Sequence, residues 1–252
     1  MRPFARRLAA SVLTAALAVL VSSTAYGQDS PVGVRLAEIR VRAGQSADFE
    51  ALAKLSNEAS KKFGIPWRQT WSVSQFGEGG VYYLVSPVKN FAQFDEKGPL
   101  STLSVEDRLT YANLARNAVE SAHYKLLELA ADLSLRSDGK DLPKLARVTV
   151  VHALPGKAAD LEATIKDLLL PALKAAGVKD FWVHRTILGG QIGEYTYVLL
   201  FDKWADLDAL GSMQKILGDN YAKYMARVAA SIQSGEIMII KLDPKLTYMP
   251  EK

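Results

Sequence analysis

The segment KDFWVHRTILGG, residues 179–190, sets His184 beside Arg185 in an otherwise apolar run. An imidazole can act as a general base or a metal ligand, and a guanidinium can hold an anionic group. Strand alternation separates the two. Trp182, His184 and Thr186 fall on one face and Phe181, Val183, Arg185 and Ile187 on the other, so His184 and Arg185 cannot work as an adjacent pair. A second group lies on the first strands of the chain's two similar parts. There Glu38 and Arg40 share a face, and their counterparts are Val150 and His152. On the closing strands Glu128 corresponds to Lys241. If these project into one enclosed space they form either a structural network of Glu–Arg and Glu–Lys pairs or a polar pocket with His152 as general base. Candidate catalytic residues are therefore His184, His152 and Arg185. Strand aromatics Trp71, Tyr82, Trp182 and Tyr195 are the candidates for holding a flat ligand, although strand aromatics also serve simply as core.

Other chemistries find little support. There is no cysteine, which removes disulfides, thiolate metal sites and thiol catalysis. No two of the three histidines stand at metal-ligand spacing, and no metal site is expected. The glycine-rich turns FGEGG (76–80) and GGQIG (189–193) lie between strands, without the helix start that a phosphate cradle needs. No serine elbow and no nearby His–Asp pair signals a hydrolase. His123, in ESAHYK, is expected to be exposed at a helix-to-strand junction.

Residues 1–27 have the layout of a secretory signal peptide: Arg2, Arg6 and Arg7, an apolar run from Leu8 to Val21, and small residues at Ala25 and Gly27. The expected location is periplasmic or secreted, with no membrane span once the signal is removed. The chain has 31 basic and 27 acidic residues; three arginines lie in the leader, leaving 28 against 27 and a net charge of +1. Nucleic acid is not an expected partner.

The elements that must position these side chains occur twice. YYLVSPVKNFAQFD (82–95) aligns without a gap with YTYVLLFDKWADLD (195–208), an offset of 113 residues. GQSADFEALAK (44–54) meets GKAADLEATIK (156–166) at an offset of 112, and ELAADLSL (128–135) meets KLDPKLTY (241–248). The change of offset falls inside a helix next to Pro171 and predicts a kink or bulge in one repeat. Each repeat reads β-α-β-β-α-β, the ferredoxin-like order, giving repeats over 28–140 and 141–252. SVED (104–107) is a capping-box start for the second helix.

On the helix openings ADFEALAK and ADLEATIK, the strand blocks VYYLVSP and YTYVLLF and the turns FAQFD and WADLD, the chain resembles the dimeric α+β barrel superfamily, which includes antibiotic-biosynthesis-monooxygenase-like and NIPSNAP-like domains. The resemblance implies an α+β fold in which the two repeats close an intramolecular pseudo-dimeric barrel. A monomer then follows, with a homodimer through exposed strand edges as the other arrangement. Two functions stand. One is binding of a small apolar or aromatic ligand, or of a partner protein. The other, implied by the resemblance, is a cofactor-independent oxygenase or a haem-binding or haem-degrading enzyme, for which His184 and His152 are the axial candidates. No cofactor is otherwise expected.

Overall fold

The computed structural model describes residues 31–137 and 142–249. The leader reading on residues 1–27 and the repeat boundary at 140/141 lie outside them. The first half runs β1 (Gly33–Val41), α1 (Ser46–Lys62), β2 (Gln69–Val73), β3 (Val81–Val88), α2 (Val105–Ala118) and β4 (Val119–Leu129). The second runs β5 (Leu145–Ala153), α3 (Ala158–Thr164), a π-helical turn (Ile165–Leu169), α4 (Leu170–Ala175), β6 (Phe181–Leu188), β7 (Glu194–Phe201), α5 (Trp204–Leu210), α6 (Met213–Leu217), α7 (Tyr221–Ser231) and β8 (Ile232–Leu242). The expected element order therefore holds in both halves. The π turn ends at Leu169, two residues before Pro171, in the helix where the offset changes; a π turn accommodates one extra residue without ending the helix.

Ser104 caps α2 as its sequence predicts, its Oγ accepting the Asp107 N–H at 3.0 Å. The equivalent region of the second half is not one long helix. Gly211 and Gly218, both at positive φ, divide it into α5, α6 and α7. In α7, Tyr224 packs into the core and Met225 is exposed. The last strand of each half starts directly after the helix, at Val119 and Ile232.

All eight strands close a barrel in the order β1-β3-β2-β8-β5-β7-β6-β4. Two seams join the halves. At one, Trp71 pairs with Leu242; at the other, His184 pairs with Leu129, and these four positions are equivalent between repeats. The segments after β4 and β8 cross to the opposite half. Leu133 enters the core beneath α3 and α4, and Leu246 enters the core beneath α1 and α2. Each crossing ends in one bridge, Leu135 with Phe181 and Tyr248 with Arg68.

Helices cover the outer sheet face. Ala37, Ile39 and Val41 pack on Phe49, Leu52 and Ala53 of α1, and Val183, Tyr195, Tyr197 and Leu199 pack on Leu161, Ile165 and Leu173. The alternate residues face the barrel interior. There Trp71, Tyr83 and Val85 of the first half meet Val148, Val198, Met238 and Ile240 of the second. Glu128 and Lys241, expected to point inward, instead face out beside Arg185 and Ser72, because Leu127, Leu129, Ile240 and Leu242 take the inward positions.

Gly189 fixes the approach of the β6–β7 turn to β4. Its φ is +79°, and a Cβ there would lie 2.0 Å from the Tyr124 carbonyl oxygen. Gly177, at φ +80°, has nothing within 4 Å. We expect Gly177→Ala to cost about 1 kcal/mol through backbone conformation alone and Gly189→Ala to cost ~3 kcal/mol or more. Urea unfolding of both variants checks this; equal losses would contradict it.

Candidate functional site: the barrel interior

Strand register arranges the inward side chains of the second half in rows. Glu194, His152 and Ser234 form one row across β7, β5 and β8, and Thr186 of β6 joins it by hydrogen-bonding Glu194. The next row holds His184, Thr196, Val150 and Glu236, and the third Trp182, Val198, Val148 and Met238. Polarity thus falls row by row toward the apolar cluster around Trp71.

The first row is a satisfied polar network. Glu194 is buried and accepts from Lys125 Nζ at 2.8 Å, Thr186 Oγ1 at 2.7 Å and His152 Nε2 at 3.2 Å. Burial works to raise its carboxyl, but those hydrogen bonds and the Lys125 charge outweigh it and hold Glu194 below the usual carboxylate range. His152 also meets Ser234 Oγ at 3.0 Å through Nδ1, so both its ring nitrogens are occupied. In the first half Arg40 pairs with Glu78 of the β2–β3 turn, not with Glu38.

The second and third rows differ. His184 Nδ1 and Trp182 Nε1 are both shielded from solvent and have no hydrogen-bond partner. Desolvation lowers the His184 pKa to about 4, although a hydrogen bond with the Thr196 backbone works the other way. The ring is neutral at physiological pH. A buried polar atom without a partner costs roughly 1–3 kcal/mol, and here two such atoms lie two residues apart on one strand face.

Arg185 lies outside the barrel. It donates to Glu162 of α3 through Nε at 2.7 Å and through one terminal nitrogen at 2.9 Å, and Tyr195 OH donates to the same carboxylate at 2.7 Å. The Arg185 guanidinium, against some desolvation, holds Glu162 below the usual carboxylate range; burial and then Glu162 push the Tyr195 phenol up to about 12. Tyr82 is also on the helix side, its ring 4.3 Å from that of Phe49. Of the sequence-chosen residues, His184, His152, Trp71 and Trp182 therefore share the interior, while Arg185, Tyr82 and Tyr195 lie between sheet and helices. His123 is exposed, as expected, but within β4 and against the Gly189 carbonyl. Sequence reasoning missed Glu194, Lys125 and Ser234. Alternation from Thr196 would have put Glu194 on the inward face.

The closed eight-stranded barrel with external helices is the dimeric α+β barrel fold, here formed from the two halves of one chain. It is similar to a putative monooxygenase from Lactobacillus acidophilus (9% identity over 88% of this chain and 100% of that one, TM-score 0.55). It is also similar to an anthrone oxidase-like protein (12% identity, 89% and 96% covered, TM-score 0.60). A third match is a chlorite dismutase variant from Candidatus Nitrospira defluvii in complex with cyanide (8% identity, 86% and 93% covered, TM-score 0.52). No protein-family model and no curated protein matches the chain. No helix among the described residues is long and apolar enough to cross a membrane, and no group of three or more potential metal-ligating residues is found among them.

The neutral His184 makes stability depend on pH. Its folded pKa lies below the unfolded value of 6.5, so the unfolded chain binds the proton more readily. Stability is full above about pH 6.5 and declines as pH falls toward 4. Between pH 7 and 4.5 the wild type is expected to lose about 2–3 kcal/mol more than His184→Leu. Urea unfolding at the two pH values measures the difference, and parallel losses would show that the imidazole is not held neutral.

Proposed function

We propose that the barrel interior binds a small, flat, largely apolar molecule carrying an oxygen, and that the protein oxidises it with dioxygen without a prosthetic group. The observation that carries this reading is the pair of unpartnered buried nitrogens, Trp182 Nε1 and His184 Nδ1. Trp182 donates to the ligand oxygen, and His184, as a neutral imidazole, takes a proton from the ligand. The products of that transfer are an enolate and an imidazolium, whose attraction in a dry interior offsets the cost of forming two charges. An electron-rich enolate can reduce dioxygen directly; one oxygen atom enters the ligand as a carbonyl and the other leaves as water. The names of the monooxygenase and anthrone oxidase-like neighbours support this class of chemistry. Export is supported by Arg2, Arg6, Arg7 and the apolar run after them, and a monomer by closure of the barrel within one chain.

Haem is the second reading, supported by His184 alone. That residue could serve as axial donor, since His152 has both nitrogens occupied and His123 is exposed. A haem also brings two propionates. The lumen-facing cations among the described residues, Arg40 and Lys125, are already held by Glu78 and Glu194. The interior suits a small neutral ligand better.

Anaerobic titration with 1,8-dihydroxyanthrone, followed by tryptophan emission, separates the readings. Saturable quenching is expected, weakened at least about tenfold in His184→Leu and Trp182→Phe, which each remove one hydrogen bond. Oxygen uptake should follow admission of air. Absence of saturable binding, combined with a hemin Soret shift lost in His184→Leu, would replace this reading with the haem one.

A further inference from the structure

The row Ser234–His152–Glu194 has the constitution of a nucleophile, a base and an orienting carboxylate, assembled from three adjacent strands. Glu194, ionised, can only accept, so the His152 Nε2 that faces it carries the proton. In the neutral ring Nδ1 is then bare, and Ser234 Oγ, 3.0 Å away, donates to it. A bare ring nitrogen facing the hydroxyl is what a general base for serine requires, here with Nδ1 toward the serine and Nε2–H toward the carboxylate, the reverse of the usual Ser-His-Asp arrangement. Glu194 is buried and fixed by Lys125 and Thr186, His152 is half-buried, and Ser234 is exposed, so the hydroxyl is the member that an incoming molecule meets.

The register also supplies a donor beside the hydroxyl. The Leu242 N–H bonds to the Lys144 carbonyl, so even-numbered residues of β8 bond to β5 and odd-numbered ones turn their N–H to the other edge. Pairing with β2 and the turn after it ends at Ile239, which leaves the Gly235 N–H on an edge that β2 does not reach. The N–H following a nucleophile is well placed to stabilise an oxyanion. In the first half the equivalent row is Ser121, Arg40 and Val81, with neither an imidazole nor a carboxylate. The constellation therefore does not follow from the barrel fold itself.

We propose that Ser234, His152 and Glu194 form an acyl-transfer site for small, uncharged esters, separate from the His184–Trp182 site. The Ser234 proton passes to His152 Nδ1 as Oγ bonds to the ester carbonyl carbon. The carbon–alkoxide bond breaks, and the leaving oxygen takes the proton from His152. Water then cleaves the acyl-serine by the same relay, so that one ester and one water give one acid and one alcohol.

The test uses the full chain with p-nitrophenyl acetate, and a fluorophosphonate probe read by peptide mass spectrometry. Expected are turnover and saturable labelling of Ser234. Both should fall at least about 100-fold in Ser234→Ala and in His152→Gln, with Ser121→Ala unchanged. Ser234→Ala alters an exposed side chain, and its thermal unfolding should match the wild type. Probe attachment elsewhere, no labelling, or ester turnover equal in Ser234→Ala and wild type would overturn the proposal. Labelling of Ser234 that persists in His152→Gln would overturn the role of the histidine.

Discussion

The two seams between the halves are the constraint on which the rest of the structure depends. A single β-α-β-β-α-β unit has two edge strands with unpaired backbone groups, and it covers only one face of its sheet with helices. Pairing β2 with β8 and β6 with β4 satisfies both edges and encloses the other face as an interior. The crossing segments reinforce this. Leu133 and Leu246, each about fully buried in the opposite half's core, make removal of either half expose apolar surface in both. Asn57 Nδ2 and Thr70 Oγ1 both donate to the Leu246 carbonyl, so the crossing backbone is also hydrogen-bonded where it is buried.

Closure determines what polar residues in the interior can do. A side chain buried there is out of reach of bulk water, so it must find a partner, lose its charge or meet a ligand, whereas Ser234 and Glu236 on β8 stay exposed. Glu194 takes the first course, with three donors. His184 takes the second, its pKa lowered to about 4, and its Nδ1 is left for the third. The halves differ at these positions: Trp71, with its Nε1 donating to Gln69, stands where His184 stands in the other seam. One half can thus supply apolar wall and the other chemistry.

Much of the fold is legible in the sequence because the chain carries its own internal comparison. Gap-free alignment of 82–95 with 195–208 locates equivalent strands, and the one-residue change of offset beside Pro171 locates the π turn. Alternation alone separates His184 from Arg185. The match of ELAADLSL with KLDPKLTY is legible as a repeat, but its meaning, two crossing segments, depends on the closed barrel. The site is less legible. Ser234 and Glu194 are 82 and 42 residues from His152, and only strand order and register bring the three into one row. Glu128 and Lys241 show the converse: equivalent, oppositely charged and on strands that line the barrel, yet both facing out because apolar neighbours take the inward positions.

The claim that a neutral imidazole waits unpartnered in the interior can be tested directly. With only three histidines, long-range proton–nitrogen correlation spectra of the protein at pH 6 are readily assigned using His123→Asn and His152→Gln. The account predicts that His184 shows a single neutral tautomer with a bare, non-hydrogen-bonded Nδ1, whose resonance moves when 1,8-dihydroxyanthrone binds. An imidazolium signal at pH 6, or an Nδ1 resonance that the ligand leaves in place, would contradict it.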